Sequence, residues 1–546
     1  MVFGRKFATY LKTNWQLFLL LSFFVLISYF PSFFNSFVSD DFGLSLDNSF
    51  AETLQIITSD PLAVIVAIQQ ALIYELCFNI AGCIRVPNLV FHFLNTILVF
   101  QLVKLTVSRR TAIWAAILFS LHPLLSETVN WISALGYIEY TFVTLLSLIL
   151  YIYFDRSGNK KFYFLALGLM VISLFITRRV FGLPLFLLYE FSLSQPKPLP
   201  SKLKYLLPFI LLIVVWVTLQ LLSLGSQVSL VEESNKLTSG RISPLVQIPI
   251  AIGTYLSLFF WPMGLTFYHS DLGFQMWQII GGYLVLSILG ALMIYSLWRN
   301  LRLFFFLSFF IVSILIYLNP FGTNWIVAER YVYLGMVGLV ASFAILVTPW
   351  LTKKSLKPWI LGLLVVFTLF LSIRTLIRTL DWKSEDSIAL SILRVVPNDP
   401  RGLYRKAVIA EREGREEEAR QLYEQTIAVN AYMPAPYLAL GSYYAKRNQL
   451  VRAEEYYLKA IEVGPDAGLT YRYLSQIYFL QGKFEDAIQT QLKGIEILGD
   501  SESYSNLGYY YSKAGKTTEA QQAFQKALEI DPGNSNAQNQ LRELNP

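Results

Sequence analysis

Apolar runs of roughly bilayer-spanning length return again and again between Trp15 and Ile377, and from Asp381 onward they give way to charged residues, Gln, Tyr and Ala. The first pattern predicts lipid-buried helices at 15–30, 88–107, 111–125, 137–154, 162–177, 180–193, 205–224, 277–298, 303–317, 331–350 and 359–377, about eleven spans. The stretch 245–261 is a twelfth candidate. Counting it as a span would move the basic segments RNLR and KKSLK to the opposite side from the others, so it is expected to be a re-entrant or surface helix. Residues 31–87 are mixed in polarity and predict interfacial amphipathic helices in a long external loop.

The second pattern repeats with a period near 34 residues, that of a tetratricopeptide unit. GREEEA ending at Ala419, NQLVRA at Ala453, GKFEDA at Ala487 and GKTTEA at Ala520 mark the turn and second helix of four units. LGSYY from Leu440, LSQIY from Leu474 and LGYYY from Leu507 mark first helices, and Pro465 and Pro532 close two units. Small residues at these places let paired helices approach closely. Of the tyrosine stripe Tyr443, Tyr444, Tyr478, Tyr510 and Tyr511, most members are expected in the core rather than on a ligand groove. The expected architecture is therefore all-α: a polytopic membrane domain over 1–380 and a tetratricopeptide-repeat solenoid over 381–546.

Charge fixes the orientation. Arg5, Lys6 and Lys12 precede the first run, and basic segments at 108–110, 155–161 and 194–204 recur at every second junction. The positive-inside rule then puts the N-terminus in the cytoplasm and the repeats outside. No small-residue cleavage site follows the first run, which predicts an uncleaved span. A net charge of +7 and pI near 9.0 would point to nucleic acid in a soluble chain, but with the bases in short inter-helix segments they report topology, and no nucleic-acid partner is expected. The 55% hydrophobic content and mean hydropathy of +0.48 exclude a soluble globular protein of 546 residues. Cys77 and Cys83 can bridge or can pack as small apolar residues, and packing is the expectation. The absence of an Asn-x-Ser/Thr sequon favours a bacterial cytoplasmic membrane, with repeats extracytoplasmic, over an endoplasmic reticulum membrane with lumenal repeats.

Candidate chemistry gathers on the outside. Asp40 and Asp41 follow the first span, Glu127 lies in LHPLLSETVNWIS, Arg178 and Arg179 lie in ITRRVFGLP, and Glu329 and Arg330 lie in WIVAERYVYLG. Neighbouring carboxylates at a sheltered interface hold a raised pKa and suit a general base, which makes Asp40 and Asp41 catalytic candidates. Paired guanidinium groups present forked donors to a phosphate, and at a membrane surface that means a lipid-linked one, so Arg178, Arg179 and Arg330 are candidate donor-phosphate ligands. Glu127 either holds an acceptor hydroxyl or pairs with one of these arginines. Glu329 and His122 are supporting residues, His122 beside Pro123 being expected to cap its loop. His92 and His269 are isolated, no histidine pair has metal-ligand spacing, and no third acidic motif supports a divalent ion.

The order of these motifs resembles the transmembrane and tetratricopeptide-repeat O-mannosyltransferases and their bacterial relatives, of the GT-C class: DD after the first span, HPxxxExVxWI after the third, AERxxYL before a late span, and RTLDW leading into repeats. The resemblance covers nearly the whole chain. It implies inverting transfer of a sugar from a polyprenyl-phosphate carrier to a hydroxyl, foremost protein Ser/Thr, on the external face, without nucleotide or metal. Carried over, the first-loop acid is Asp40 or Asp41, the second-loop acid is Glu127, and the late pair is Glu329 with Arg330. Where many members have Lys-Glu after the fifth span, this chain has Arg178-Arg179, which keeps phosphate binding and lacks an acid. The resemblance also implies that the repeats present or select the acceptor. A non-catalytic membrane anchor whose repeats recruit envelope proteins is the alternative.

Overall fold

The computed structural model describes residues 2–38, 41, 64–78, 80–177, 182–223, 244–267, 276–318, 327–465 and 468–544. Among the described residues every regular element is a helix, and the chain is all-α. It forms two compact units, Met1–Ser391 and Ile392–Pro546.

In the first unit, six helices among the described residues have the length and composition to cross a bilayer: Lys12–Phe34, Ala81–Thr106, Ile132–Ser157, Leu199–Leu219, Met276–Arg299 and Lys357–Asp381. A seventh is broken. Arg109–Leu121 and Pro123–Asn130 meet at 55°, because Pro123 has no N–H to continue the ladder. The runs expected at 180–193, 303–317 and 331–350 appear as the shorter apolar helices Gly182–Ser192, Leu301–Leu315 and Met336–Thr352.

The surface of these helices is inverted relative to a soluble protein. Along Met276–Arg299, Ile280, Leu284 and Ile288 are about 60% exposed while Gly282, Leu289 and Ser296 are buried. Small and polar residues, with Leu289, face neighbouring helices and most aliphatic ones face outward, which is the arrangement lipid demands. The chain is a multi-pass membrane protein.

Gly282 explains one close approach. A Cβ there would lie 2.8 Å from the carbonyl of Pro249, so only glycine lets Pro244–Phe260 pack this near. That helix, expected on the surface or re-entrant, packs into the bundle with Tyr255 and Phe259 buried.

Cys77 and Cys83 form a disulfide, against the expectation of packing alone, with Cα atoms 5.4 Å apart. Helix Val64–Cys77 ends at a reversal through Phe78, whose φ is 47°, and the chain returns into the short helix Ala81–Ile84. That turn brings the two sulfurs together. Sequence spacing alone could not show it. The pair also packs with Ile84 and Ile132, so both of the open alternatives are realised.

In the second unit, paired helices stack in sequence from Pro400–Arg412 and Glu416–Val429 to Ser501–Lys513 and Thr517–Ile530, with Ser535–Leu544 following. Ala419, Ala453, Ala487 and Ala520 are all 2% exposed or less, as the repeat register requires. Each turn before these helices needs a left-handed residue: Gly414, Gly482 and Gly515 at φ 76–77°, and Asn448 at 57°, since Asn tolerates that region. Tyr444 and Tyr510 are buried, and Tyr443, Tyr478 and Tyr511 are half-buried against the same clusters.

Candidate active site

The broken span places one short segment, residues 126–133, at the centre of a charged network. Helix Ser126–Asn130 is fully buried, and the side chain of Glu127 is inaccessible to solvent. A lone carboxylate there would carry a large desolvation penalty. Two groups of the late junction satisfy it: Arg330 donates from Nη1 to Oε1 of Glu127, and the backbone N–H of Glu329 donates to Oε2 at 3.2 Å. Burial works against the Arg330 charge, and the facing Glu127 carboxylate, together with Tyr331 and Tyr137, outweighs it, so the guanidinium is held protonated.

Arg330 is only partly committed. Nη1 is the one nitrogen of its guanidinium that donates a hydrogen bond among the described residues. The group sits 5.1 Å from the ring of Trp131 and 5.0 Å from that of Tyr331, within cation–π reach of both. It borders a small space of about 10 Å³ lined also by Tyr137, Tyr140 and Tyr317, where Tyr317 and Tyr331 stack at 4.2 Å.

Two further arginines complete the network. Arg378 is 1% exposed and binds Glu329 at 3.0 Å and Asp381 at 3.4 Å. Arg85 is fully buried and donates to backbone carbonyls of Asn130, Asn35 and Ser36, tying the end of the first span to the central segment.

Asp41 reaches the same segment from the first loop. Its Oδ1 accepts from the N–H of Ser133 at 3.0 Å and from its hydroxyl at 2.7 Å, and Oδ2 accepts from the N–H of Val38 at 3.2 Å. Burial raises the Asp41 pKa, and these hydrogen bonds with the charge of Arg85 offset only part of the rise. A fixed, sheltered carboxylate results, of the kind a general base needs.

Known proteins are similar to this chain in two separate ways. Models described as "Tetratricopeptide repeat" match residues 438–502 and 501–534. Protein O-mannosyl-transferase TMTC3 of Homo sapiens is 27% identical over 237 residues, 39% of this chain and 25% of the relative. TMTC3 of Mus musculus is 26% identical over the same share. The chain resembles the transmembrane and tetratricopeptide-repeat O-mannosyltransferases. The alignment spans about a quarter of the length of the curated relatives it matches. Among solved structures, the crystal structure of MamA protein is 23% identical with a TM-score of 0.25, covering 27% of this chain and 81% of that one. TTC0263, a tetratricopeptide-repeat protein of Thermus thermophilus, is 20% identical with a TM-score of 0.25, covering 29% and 88%.

Of the residues expected to form an O-mannosyltransferase-like site, Glu127, Glu329 and Arg330 make direct contact, and Asp41 joins them through the segment 126–133. Asp40, Arg178, Arg179 and His269 lie outside the described residues. His122 is a loop cap, as expected of a supporting residue: Nδ1 accepts from the N–H of Leu124, Nε2 faces the carbonyl of Phe259 at 2.9 Å, and the ring stacks on Phe259. His92 is buried against Tyr333. Among the described residues no three His, Cys, Asp or Glu side chains cluster to hold a metal ion.

Arg85, Arg378, Asp381, Trp131 and Ser133 were not singled out as site residues. Arg378 and Asp381 carried a signal, as charges in the last turn of a long apolar helix.

Proposed function

We propose that this chain is a membrane glycosyltransferase that moves a sugar from a polyprenyl-phosphate carrier to a hydroxyl, foremost a protein Ser or Thr, with inversion at the anomeric carbon. The half-committed Arg330 carries the proposal. Glu127 holds it in place from one side, and its remaining donors stand at a junction between spans where a lipid-linked phosphate would lie.

In the proposed reaction, the acceptor oxygen bonds to the anomeric carbon from the face opposite the phosphate, and a first-loop carboxylate, Asp41 or Asp40, takes the hydroxyl proton. The bond from that carbon to the phosphate oxygen breaks with its electron pair. Negative charge grows on the departing lipid phosphate, and Arg330, held by Glu127, stabilises it. The raised pKa of Asp41 makes its carboxylate a stronger base than an ordinary one. Nothing in this sequence of bond changes calls for a nucleotide or a divalent ion. The Cys77–Cys83 disulfide supports an oxidising, external side for this end of the bundle. The repeats, an architecture that binds peptides and proteins, would present the acceptor chain.

The test is transfer from a prenyl-phosphate sugar to a Ser/Thr peptide by the purified protein and by Asp40→Asn, Asp41→Asn and Arg330→Ala. Removing a preorganised charge stabiliser is expected to cost on the order of 100-fold in rate. Loss of activity in Arg330→Ala and in one aspartate variant fits the proposal. Full activity in all three would remove both base and phosphate ligand. Wild-type protein with no transfer from any prenyl-phosphate sugar, but with retained binding of envelope proteins through the repeats, would favour the anchor-and-scaffold alternative.

A further inference from the structure

The opposite end of the same helices carries a second cluster of bases with a different character. Helix Leu135–Ser157 starts beside Ser133 and Trp131 and is about 33 Å long at 1.5 Å per residue, close to the thickness of a hydrocarbon core. At its far end a cleft of about 580 Å³ opens between Arg156, Ser194, Trp298, Arg299, Asn300 and Arg302. That volume is ordinary for a small-molecule site.

The bases of this cleft are not neutralised. Two carboxylates stand nearby, and both are spoken for: Asp155 binds Lys197 at 2.6 Å and accepts from Tyr189, while Glu190 faces Lys202 at 3.4 Å and accepts from Tyr151. Arg156 gives one donor to the carbonyl of Leu105 at 2.6 Å, leaving the rest of its fork. Arg299 and Arg302 have no ion pair among the described residues, and both are exposed. Three guanidinium groups thus surround one concave space with no acid among its lining residues.

The surroundings say what kind of anion fits. Trp298 borders the cleft with 81% of its surface exposed, and Ile294 and Tyr295, one turn earlier, are exposed at 63% and 62%. An exposed Trp at the end of an apolar helix marks the headgroup level of a bilayer. This end also bears the segments at 108–110, 155–161 and RNLR that the positive-inside rule assigns to the cytoplasm, where anionic lipids attract basic segments. A soluble anion would gain nothing from the bare apolar wall, whereas a lipid places its phosphate among the arginines and its chains along Ile294 and Trp298.

We infer that the cleft formed by Arg156, Arg299 and Arg302 is a binding site for the phosphate headgroup of an anionic phospholipid, separate from the Glu127–Arg330 network. It does not depend on the proposed transferase activity.

The experiment uses the full chain in detergent, with phosphatidylglycerol or phosphatidylcholine added, native mass spectrometry to count retained lipid, and thermal unfolding to read stabilisation. Wild-type protein is expected to retain phosphatidylglycerol in preference to phosphatidylcholine and to unfold at higher temperature with it. R299Q/R302Q, which changes only exposed side chains, is expected to bind phosphatidylglycerol at least tenfold more weakly while its lipid-free unfolding is unchanged. No preference between the two lipids in wild type overturns the site, whatever the variant does. Equal retention by wild type and R299Q/R302Q does the same, and so does displacement of the lipid by millimolar inorganic phosphate, which would mark a free-phosphate site.

Discussion

Cation–carboxylate pairs appear in both units under opposite conditions. In the membrane unit, Arg330–Glu127 and Arg378–Glu329 are buried among helices, with side chains 10% exposed or less. In the repeats, Arg415–Glu418, Arg420–Glu424, Lys516–Glu485 and Lys526–Glu529 lie in water on helix surfaces. The apolar residues reverse in step: Leu363, Val366 and Leu369 stand out from a membrane helix while alanines fill the repeat core. Water screens the repeat pairs and leaves each worth little, whereas each buried group depends on its partner to offset desolvation. Buried charge is costly to keep. Its concentration at one junction of the bundle is why that junction is proposed as the active site.

The contrast breaks first at Arg378. Arg378→Ala leaves Glu329 buried without its guanidinium, and about 3–5 kcal/mol of stability should be lost in detergent unfolding. R378M/E329Q removes both charges and should recover much of that loss; a double variant as unstable as the single one would mean that packing, not charge, holds the junction.

In the repeats the largest effect should come from packing. A Cβ on Gly508 would lie 2.7 Å from the Phe524 ring, so Gly508→Ala should cost about 1–3 kcal/mol. An unchanged midpoint of repeat unfolding would show that the two helices can separate freely.

Asp41 sharpens the comparison through pH. Its folded pKa is raised, so the folded state holds the proton more tightly than the unfolded chain does. The resulting stability is complete below the unfolded carboxylate value and is lost as pH rises through the folded one. Asp41→Asn should therefore unfold with a smaller decline across that window than wild type. If Asp41 is the base, the acid limb of the rate profile should also lie above the ordinary carboxylate range. Identical pH–stability curves for the two proteins would rule out the raised value.

The smallest effect belongs to the repeat surface. Lys526→Ala should leave the unfolding temperature unchanged, and a clear drop there would mean that surface pairs carry weight.

Much of this division was legible in the chain itself, because lipid and water impose opposite patterns on long stretches. Runs at 88–107 and 359–377 became Val86–Thr106 and Lys357–Asp381, and the alanine register placed all four repeat turns. Local chain reversals were not legible. The break at Pro123 that turns Glu127 inward, and the reversal at Phe78 that closes Cys77 onto Cys83, depend on single backbone angles. The site was half visible for a related reason. Acids and bases in predicted loops mark Glu127, Glu329 and Arg330 as candidates, whereas the enclosure of Arg85 and Arg378 is set by packing between distant segments.

The most direct measurement is a structure of the full chain with a prenyl-phosphate sugar bound. The account predicts the phosphate within hydrogen-bond distance, about 3 Å, of the Arg330 guanidinium and the anomeric carbon turned toward the first loop. A phosphate seated instead among Arg156, Arg299 and Arg302, with Arg330 still bonded only to Glu127, would contradict it.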